Sequence, residues 1–454
     1  MSIEFSNNFD SPVNKFEQML KTNSTLFFDV QDFENIIHHY IDSGEINLAR
    51  KAVSIGLNQH NNNIQLTLLK SELLILDGDI DNSYSLLKEI ESIEPNNQEV
   101  LIQKATIYSK KNQHGKAIKI LEKSLNFIDD PSEVWLLLGM ENMMTSNYSE
   151  AQKFFKKCLN IDPEDIQTLY NLIYCNDQLK EYGKSIEILN YILNINPYNE
   201  SAWHELGKQY LKINKKNEAL TSFEFAIISD EKFSGAYVEK AKILEEKGNI
   251  IEAIENYQIT LQIEDESAYI ISRIANCYEK IGNKQEARNY YEKSVIIDPS
   301  NNSCWDNLVE FCIKNKNYKK AILHLKNAIR INENNLNYWK KIAFVYKETK
   351  RYDLAEKAYK KAIELGDKEY DTWIDLIDSL LIMKNWNSAT DIAVQAKKYF
   401  PLDHLIDYRL AGCLIKKGQT YKAKVYIENF IKNNGTLPSK IKYLFPEISI
   451  TQKK

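Results

Sequence analysis

Small residues recur along this chain every 34 positions. Ala49 is the first; Ala117, Ala151, Ala219, Ala253, Ala287, Ala321, Ala355, Ala389 and Ala423 keep the same beat, and the two remaining places hold Ser83 and Ser185. Twelve consecutive registers of a 454-residue chain therefore carry a side chain no larger than serine. A fixed period of that length is the mark of stacked supersecondary units, each too small to bury its own apolar face alone. It also lifts the usual limit on chain length per core. An ordinary globular chain this long divides into domains, whereas a stack buries each unit only against its neighbours.

Other residue types keep the same period. With the small residue set at position 20, unit one spans 30–63 and unit twelve 404–437. Position 4 is aromatic in seven units: Phe33, Trp135, Trp203, Tyr237, Trp305, Trp339 and Trp373. Position 11 holds Tyr40, Tyr108, Tyr210, Tyr278 and Tyr346, and position 24 holds Phe155, Phe223, Tyr257, Tyr291 and Tyr359. Positions 4, 7, 8 and 11 form one face of a helix, and positions 20, 24 and 27 form one face of a second. Small residues at position 8 (Gly139, Gly207, Ala241, Ala275, Ala343) and at position 20 predict a close approach of the two helices. Gly44, Gly78, Gly248, Gly282 and Gly418 stand at position 15, where the first helix must end in the left-handed conformation. Pro95, Pro163, Pro197, Pro299 and Pro401 at position 32 predict the end of the second helix. The expected fold is all-α: an α-solenoid, a superhelix of about twelve 34-residue helix-turn-helix units.

This register pattern resembles the tetratricopeptide repeat (TPR), with its aromatic at 4, Gly or Ala at 8, Tyr at 11, Ala at 20, aromatic at 24 and Pro at 32. The resemblance covers 30–437 and is strongest in AWHELGKQYLKINKKNEALTSFEFAI and CWDNLVEFCIKNKNYKKAILHLKNAI. Unit two departs from it, with no aromatic at 4 and Ser71 at 8; unit twelve has Asp407 at 4 and Phe430 at 27. The flanks read as caps. In 1–29, Ser11-Pro12 is a helix start and Phe16, Met19 and Leu20 form an apolar stripe; in 438–454, Ile441, Leu444 and Phe445 precede Pro446. As a whole the chain is similar to bacterial TPR-only cytoplasmic proteins.

Composition narrows the function classes. The net charge of −5 and the interspersed lysines argue against phosphate-driven nucleic-acid binding. The N-terminus lacks a basic and then apolar leader, and no run reaches the roughly 18 apolar residues of a membrane helix, so a soluble, cytoplasmic chain is expected. Six cysteines without a C-x-x-C pair read as buried reduced thiols. No phosphate-binding glycine motif, H-E-x-x-H or i, i+4 histidine pair occurs. No catalytic residue, metal site or cofactor is expected.

The resemblance implies that the first helix of each unit lines a concave groove through positions 2, 5, 9, 12 and 13. Two candidate patches follow. In units four and five, Leu136, Met140, Met143, Met144, Tyr170 and Tyr174 offer adaptable apolar contacts, with Asn171 and Asp177 placed to bind a ligand backbone. In units eight to ten, Arg273, Asn276, Asn307, Lys340 and Lys341 partly resemble the clamp by which some TPR co-chaperones hold a C-terminal carboxylate. Ser272 and Asn337 stand where that clamp has lysines. The expected function is a protein–protein interaction scaffold or adaptor that binds an unidentified protein or peptide segment, as a monomer or weak homo-oligomer. The alternatives are a self-assembling structural protein and a regulatory sensor for a peptide or small metabolite.

Overall fold

The computed structural model describes residues 11–22, 24–128 and 130–434, and there every regular element is an α-helix. Two compact bodies divide the chain after Ser229. The first holds α1 (Pro12–Thr22), then the pairs α2 (Val30–Asp42) and α3 (Ile46–Gln59), α4 (Ile64–Asp77) and α5 (Ile80–Ile93), α6 (Gln98–Lys110) and α7 (His114–Ser124). It continues with α8 (Ser132–Met144) and α9 (Tyr148–Ile161), α10 (Ile166–Gln178) and α11 (Tyr182–Ile195), α12 (Glu200–Lys212) and α13 (Lys216–Ser229). The second begins with α14 (Ser234–Lys247) and α15 (Ile250–Ile263), α16 (Ala268–Lys280) and α17 (Lys284–Ile297), α18 (Asn302–Lys314) and α19 (Tyr318–Ile331). It ends with α20 (Leu336–Glu348) and α21 (Tyr352–Glu364), α22 (Tyr370–Ile382) and α23 (Trp386–Tyr399), α24 (His404–Lys416) and α25 (Thr420–Asn434). Every first helix starts 34 residues after the last one, and so does every second helix. We call them A and B helices.

The turn within each pair is built identically twelve times. Position 15 has positive φ in every unit: the five glycines expected there, and also Asn112, Ser146, Lys180, Asn214, Lys316, Lys350 and Lys384. The next amide then donates back to the carbonyl at position 11, as Glu45 N to Tyr40 O (2.8 Å) and Lys215 N to Tyr210 O (2.8 Å). This satisfies a carbonyl that the helix end leaves open. The bond pattern, rather than the glycine, is the invariant.

Proline at position 32 is likewise one route to a common end. α5, α9, α11, α17 and α23 stop two residues before it, but α3, α13, α15 and α19 stop at the same place without it. The aromatic at position 4 supplies part of the reason. Trp203 Nε1 donates to Pro197 O (2.9 Å), Trp305 Nε1 to Pro299 O (2.9 Å) and Trp339 Nε1 to Glu333 O (2.7 Å). Each indole therefore pins the turn between its own unit and the one before. The next A helix is often started by an Asn or Asp at position 34: Asn63 Oδ1 accepts from Leu66 N (3.0 Å) and Asn199 Oδ1 from Ala202 N (2.8 Å).

Close packing within a pair depends on positions 8, 20 and 24. A Cβ on Gly207 would lie 2.6 Å from the Phe223 ring, and one on Gly139 would overlap the Phe155 ring. Every described alanine of the 34-residue comb is buried. Unit two meets the same demand with hydroxyls: Ser71 and Ser83 face each other across α4 and α5 at 2.9 Å, fully buried. Unit twelve keeps Asp407 buried by pairing it with Lys397 (2.8 Å), while Phe430 packs on Tyr408. At the start, Ser11 Oγ accepts from Asn14 N (3.3 Å), and Phe16 packs edge-on against Phe28 and Phe33. The stripe expected at Ile441, Leu444 and Phe445 lies outside the described residues.

Candidate partner-binding surfaces

Within the first body α2 packs on α4 and α4 on α6, in addition to their own B helices. From α2 to α6 the A helices thus lie side by side as a wall, and side chains at positions 2, 5, 9 and 13 recur along each at helical spacing.

The methionine and tyrosine patch divides. Met140 (45 % exposed), Met144 (69 %) and Tyr174 (47 %) stand free of the core. Met140 and Met144 are four residues apart on α8 and share a face. Tyr174 on α10 is braced by Tyr148, ring to ring at 6.1 Å. Leu136 and Met143 are half-buried against Ala151, Phe155 and Leu172, and Tyr170 against Leu169 and Ile173. Those three belong partly to packing. Asn171 is half-buried, and Asp177 is occupied: it accepts from Lys212 Nζ (2.6 Å) and Gln209 Nε2 (3.2 Å) on α12. Asp177 is therefore a strut between neighbouring A helices through its Oδ2, while its Oδ1 is buried.

The second patch is brought together, but as a neutral network. Arg273 bonds Glu245 at 2.5 Å, and the buried Glu245 also takes Lys280 at 2.8 Å. Asn307 Nδ2 donates to Ser272 Oγ (2.9 Å), and Asn276 Oδ1 accepts from Tyr291 Oη (2.7 Å). Lys341 reaches Asp306 and Glu310, each at 2.7 Å, and Lys340 pairs with Glu369. Burial works against the Lys341 charge, but these hydrogen bonds outweigh it and hold the ammonium above its usual range. Each cation of this patch meets a carboxylate of the chain itself.

One feature of the wall was missed by sequence reasoning. A recess of about 450 Å³ in the first body is lined by Glu34 and His38 of α2, Glu72 of α4, Glu99 and Gln103 of α6, and Glu133 of α8. Burial first, then the charge of Glu99 and more weakly Glu133 and Asp42, push the Glu72 carboxyl above its usual range; His38 pulls the other way. Burial and Glu99 do the same to Glu133. The signal was available in the registers: Glu99 and Glu133 both occupy position 2, and Glu34 and Glu72 occupy positions 5 and 9.

All six cysteines are buried and free. Among the described residues no group of His, Cys, Asp and Glu is arranged to hold a metal ion, and no helix is long and apolar enough to cross a membrane.

Helix pairs at a 34-residue period, a left-handed turn at position 15 and a small–aromatic contact at 8 and 24 define a helical-repeat protein of the α-solenoid class. Tetratricopeptide repeat models match residues 74–140, 132–165, 268–301 and 336–365. Residues 74–165, 268–301 and 336–365 are thus tetratricopeptide repeats. The chain is 20 % identical over 191 residues to the tetratricopeptide repeat-containing protein trd-1 of Caenorhabditis elegans, covering 42 % of this chain and 24 % of that one. It is 29 % identical over 111 residues to the Hsp70/Hsp90 co-chaperone CNS1 of Saccharomyces cerevisiae, covering 23 % and 29 %. Both matches thus span less than a third of the relative's own length. Among solved structures, the C-terminal part of a TPR repeat-containing protein from Cytophaga hutchinsonii is similar at 15 % identity and a TM-score of 0.47, over 53 % of this chain and 99 % of that one. A tetratricopeptide repeat protein from Parabacteroides merdae is similar at 16 % identity and a TM-score of 0.36, over 54 % and 98 %.

Proposed function

We propose that this protein is a binding scaffold that holds a segment of a partner protein against the A-helix wall of its first body, with apolar anchors seated on Met140, Met144 and Tyr174. Tetratricopeptide repeat proteins mediate protein–protein interactions. The observation that carries the reading to this place is the exposure of those three side chains on adjacent A helices, while Leu136, Met143 and Tyr170 beside them are held by the core. Thioethers adapt to the shape of an anchor, and tyrosine adds a rigid apolar body with a polar tip. Small changes of anchor are tolerated by such a surface, whereas a charge is not.

The test is a double substitution, Met140→Glu with Tyr174→Glu, in the full chain. Partners captured from the source cell are compared with those of the wild type. Loss of a buried anchor costs about 2 kcal/mol or more of binding, enough to remove a partner from the captured set. Both side chains are about half exposed, so the melting midpoint should stay near that of the wild type. A collapse of stability, or an unchanged set of partners, would overturn the reading.

A further inference from the structure

The recess of α2, α4, α6 and α8 stands out because, among the described residues, no lysine or arginine pairs with its carboxylates. Elsewhere on the A helices, carboxylates find a cation one repeat on: Glu245 with Lys280, Glu279 with Lys314, Asp306 with Lys341, Asp177 with Lys212. Glu34, Glu72, Glu99 and Glu133 have no lysine or arginine partner among the described residues, and His38 is the only basic side chain on the lining.

A second observation is independent of the charge. Gln103 is 5 % exposed, and its amide orientation is fixed, since Nε2 donates to Leu68 O (3.2 Å) and to Glu99 Oε1 (2.8 Å). Gln103 lines the recess, and its carbonyl oxygen is buried with no donor. A buried acceptor without a donor costs about 1–3 kcal/mol. Unneutralised carboxylates and an unpartnered amide oxygen want the same thing, a charged N–H donor from outside.

The recess is also continuous with the apolar patch. Glu133, Leu136 and Met140 fall at i, i+3 and i+7 on α8 and share one face. We infer that the recess receives a lysine or arginine side chain of the bound protein segment, whose neighbouring apolar residue reaches Met140 and Tyr174. The recess takes the cation from Glu72 and Glu99, with Gln103 Oε1 accepting a hydrogen bond. This rests on the scaffold reading above and specifies its ligand as a cationic–apolar segment.

The experiment measures fluorescence anisotropy of a dye-labelled nine-residue peptide that carries one lysine and one leucine in a glycine–serine background. A second peptide has homocitrulline, a neutral isostere, in place of lysine. The proteins are the full chain, the recess variant Glu72→Gln/Glu99→Gln, and the variant Glu122→Gln/Glu187→Gln, which removes two charges from exposed sites on α7 and α11. The wild type and the surface variant should bind the lysine peptide at least tenfold more tightly than the neutral one. The recess variant should lose that preference, and its melting midpoint at pH 7 should rise, because like charges directed at one another are removed. Equal loss in both variants would reduce the effect to net charge and overturn the inference. A lower midpoint in the recess variant would make these carboxylates structural and overturn it too. Binding of both peptides equally, abolished by Met140→Glu/Tyr174→Glu, would leave the scaffold reading standing and remove the cation site. No binding of either peptide would remove both.

Discussion

Gly207→Ala is the sharpest test of how these repeats hold together. The new Cβ would lie 2.6 Å from Phe223 Cε1, 2.7 Å from Cζ and 2.9 Å from Cδ1. Carbon atoms pack best at about 3.5–4.0 Å, so the ring or the helix must move by about 1 Å. Neither has room to do so easily. Phe223 is fully buried, and the His204 ring lies 5.5 Å from it. Overpacking of this kind costs about 1–3 kcal/mol, and three ring atoms clash at once, which argues for the upper half of that range. Alanine recovers about 1 kcal/mol of helix propensity. The net expectation is a loss of about 1–2 kcal/mol. Gly183→Ala on α11 is the control: nothing lies within 4 Å of its Cβ, so it should be neutral or gain up to about 1 kcal/mol. Repeat arrays need not unfold in one step. The measurement is therefore hydrogen exchange at α12 and α13 amides, alongside urea unfolding followed by circular dichroism. Unit three pairs Ala105 with Leu121 at the same registers, so Phe223→Leu should rescue. The double variant should be more stable than the sum of the two single effects by about 1 kcal/mol. The reasoning fails if Gly207→Ala is as stable as Gly183→Ala, or if Phe223→Leu adds its own cost in full.

Two further outcomes follow from the same geometry. Lys316, Lys350 and Lys384 hold positive φ at position 15, so each Lys→Gly change should raise stability by up to about 1 kcal/mol and with it the thermal midpoint, and Gly248→Lys should lower stability by a similar amount. Burial pushes the Cys277 and Cys413 thiols up to about 12 and the Cys175 and Cys312 thiols up to about 11, so at pH 8 they carry little thiolate; a thiol-reactive dye should leave the native chain essentially unlabelled and count six thiols in denaturant.

The repeat and its helices were legible because they rest on side-chain size. A contact that admits only Gly, Ala or Ser at positions 8 and 20 leaves a trace in every unit. The turn was half legible. Glycine marks it in five units, but the energy lies in the bond from position 16 to position 11, which Asn, Ser and Lys also permit at a cost in backbone strain. Proline misled in the same way, since helices without it end at the same register. For the patches, position alone could not separate a free side chain from a strut. Met140 and Asp177 both fall at groove positions; only the structure reveals that Lys212 already holds Asp177. The acidic recess escaped notice because its four glutamates come from four units and three different registers, so no single column displays them.

The contrast between struts and recess bears on how such a chain acquires specificity. In a repeat array each unit is stabilised by its neighbours, so a local penalty at one place need not unfold the rest. A strut such as Lys341 between Asp306 and Glu310 spends its charge inside the chain, and a partner would have to break it to use it. At Glu72 burial first, then the charge of Glu99 on the neighbouring α6 and more weakly Glu133 on α8, hold the carboxyl above its usual range, with only His38 pulling the other way. That arrangement lowers stability, since ionising Glu72 at neutral pH works against burial and like charge together. The charge is correspondingly undiminished toward a cation that arrives from outside. A lysine entering there relieves a repulsion as well as forming an ion pair, whereas the same lysine approaching Asp306 finds its place taken. On the proposed reading, binding preference within the first body follows from which of its units omit their internal counter-ion.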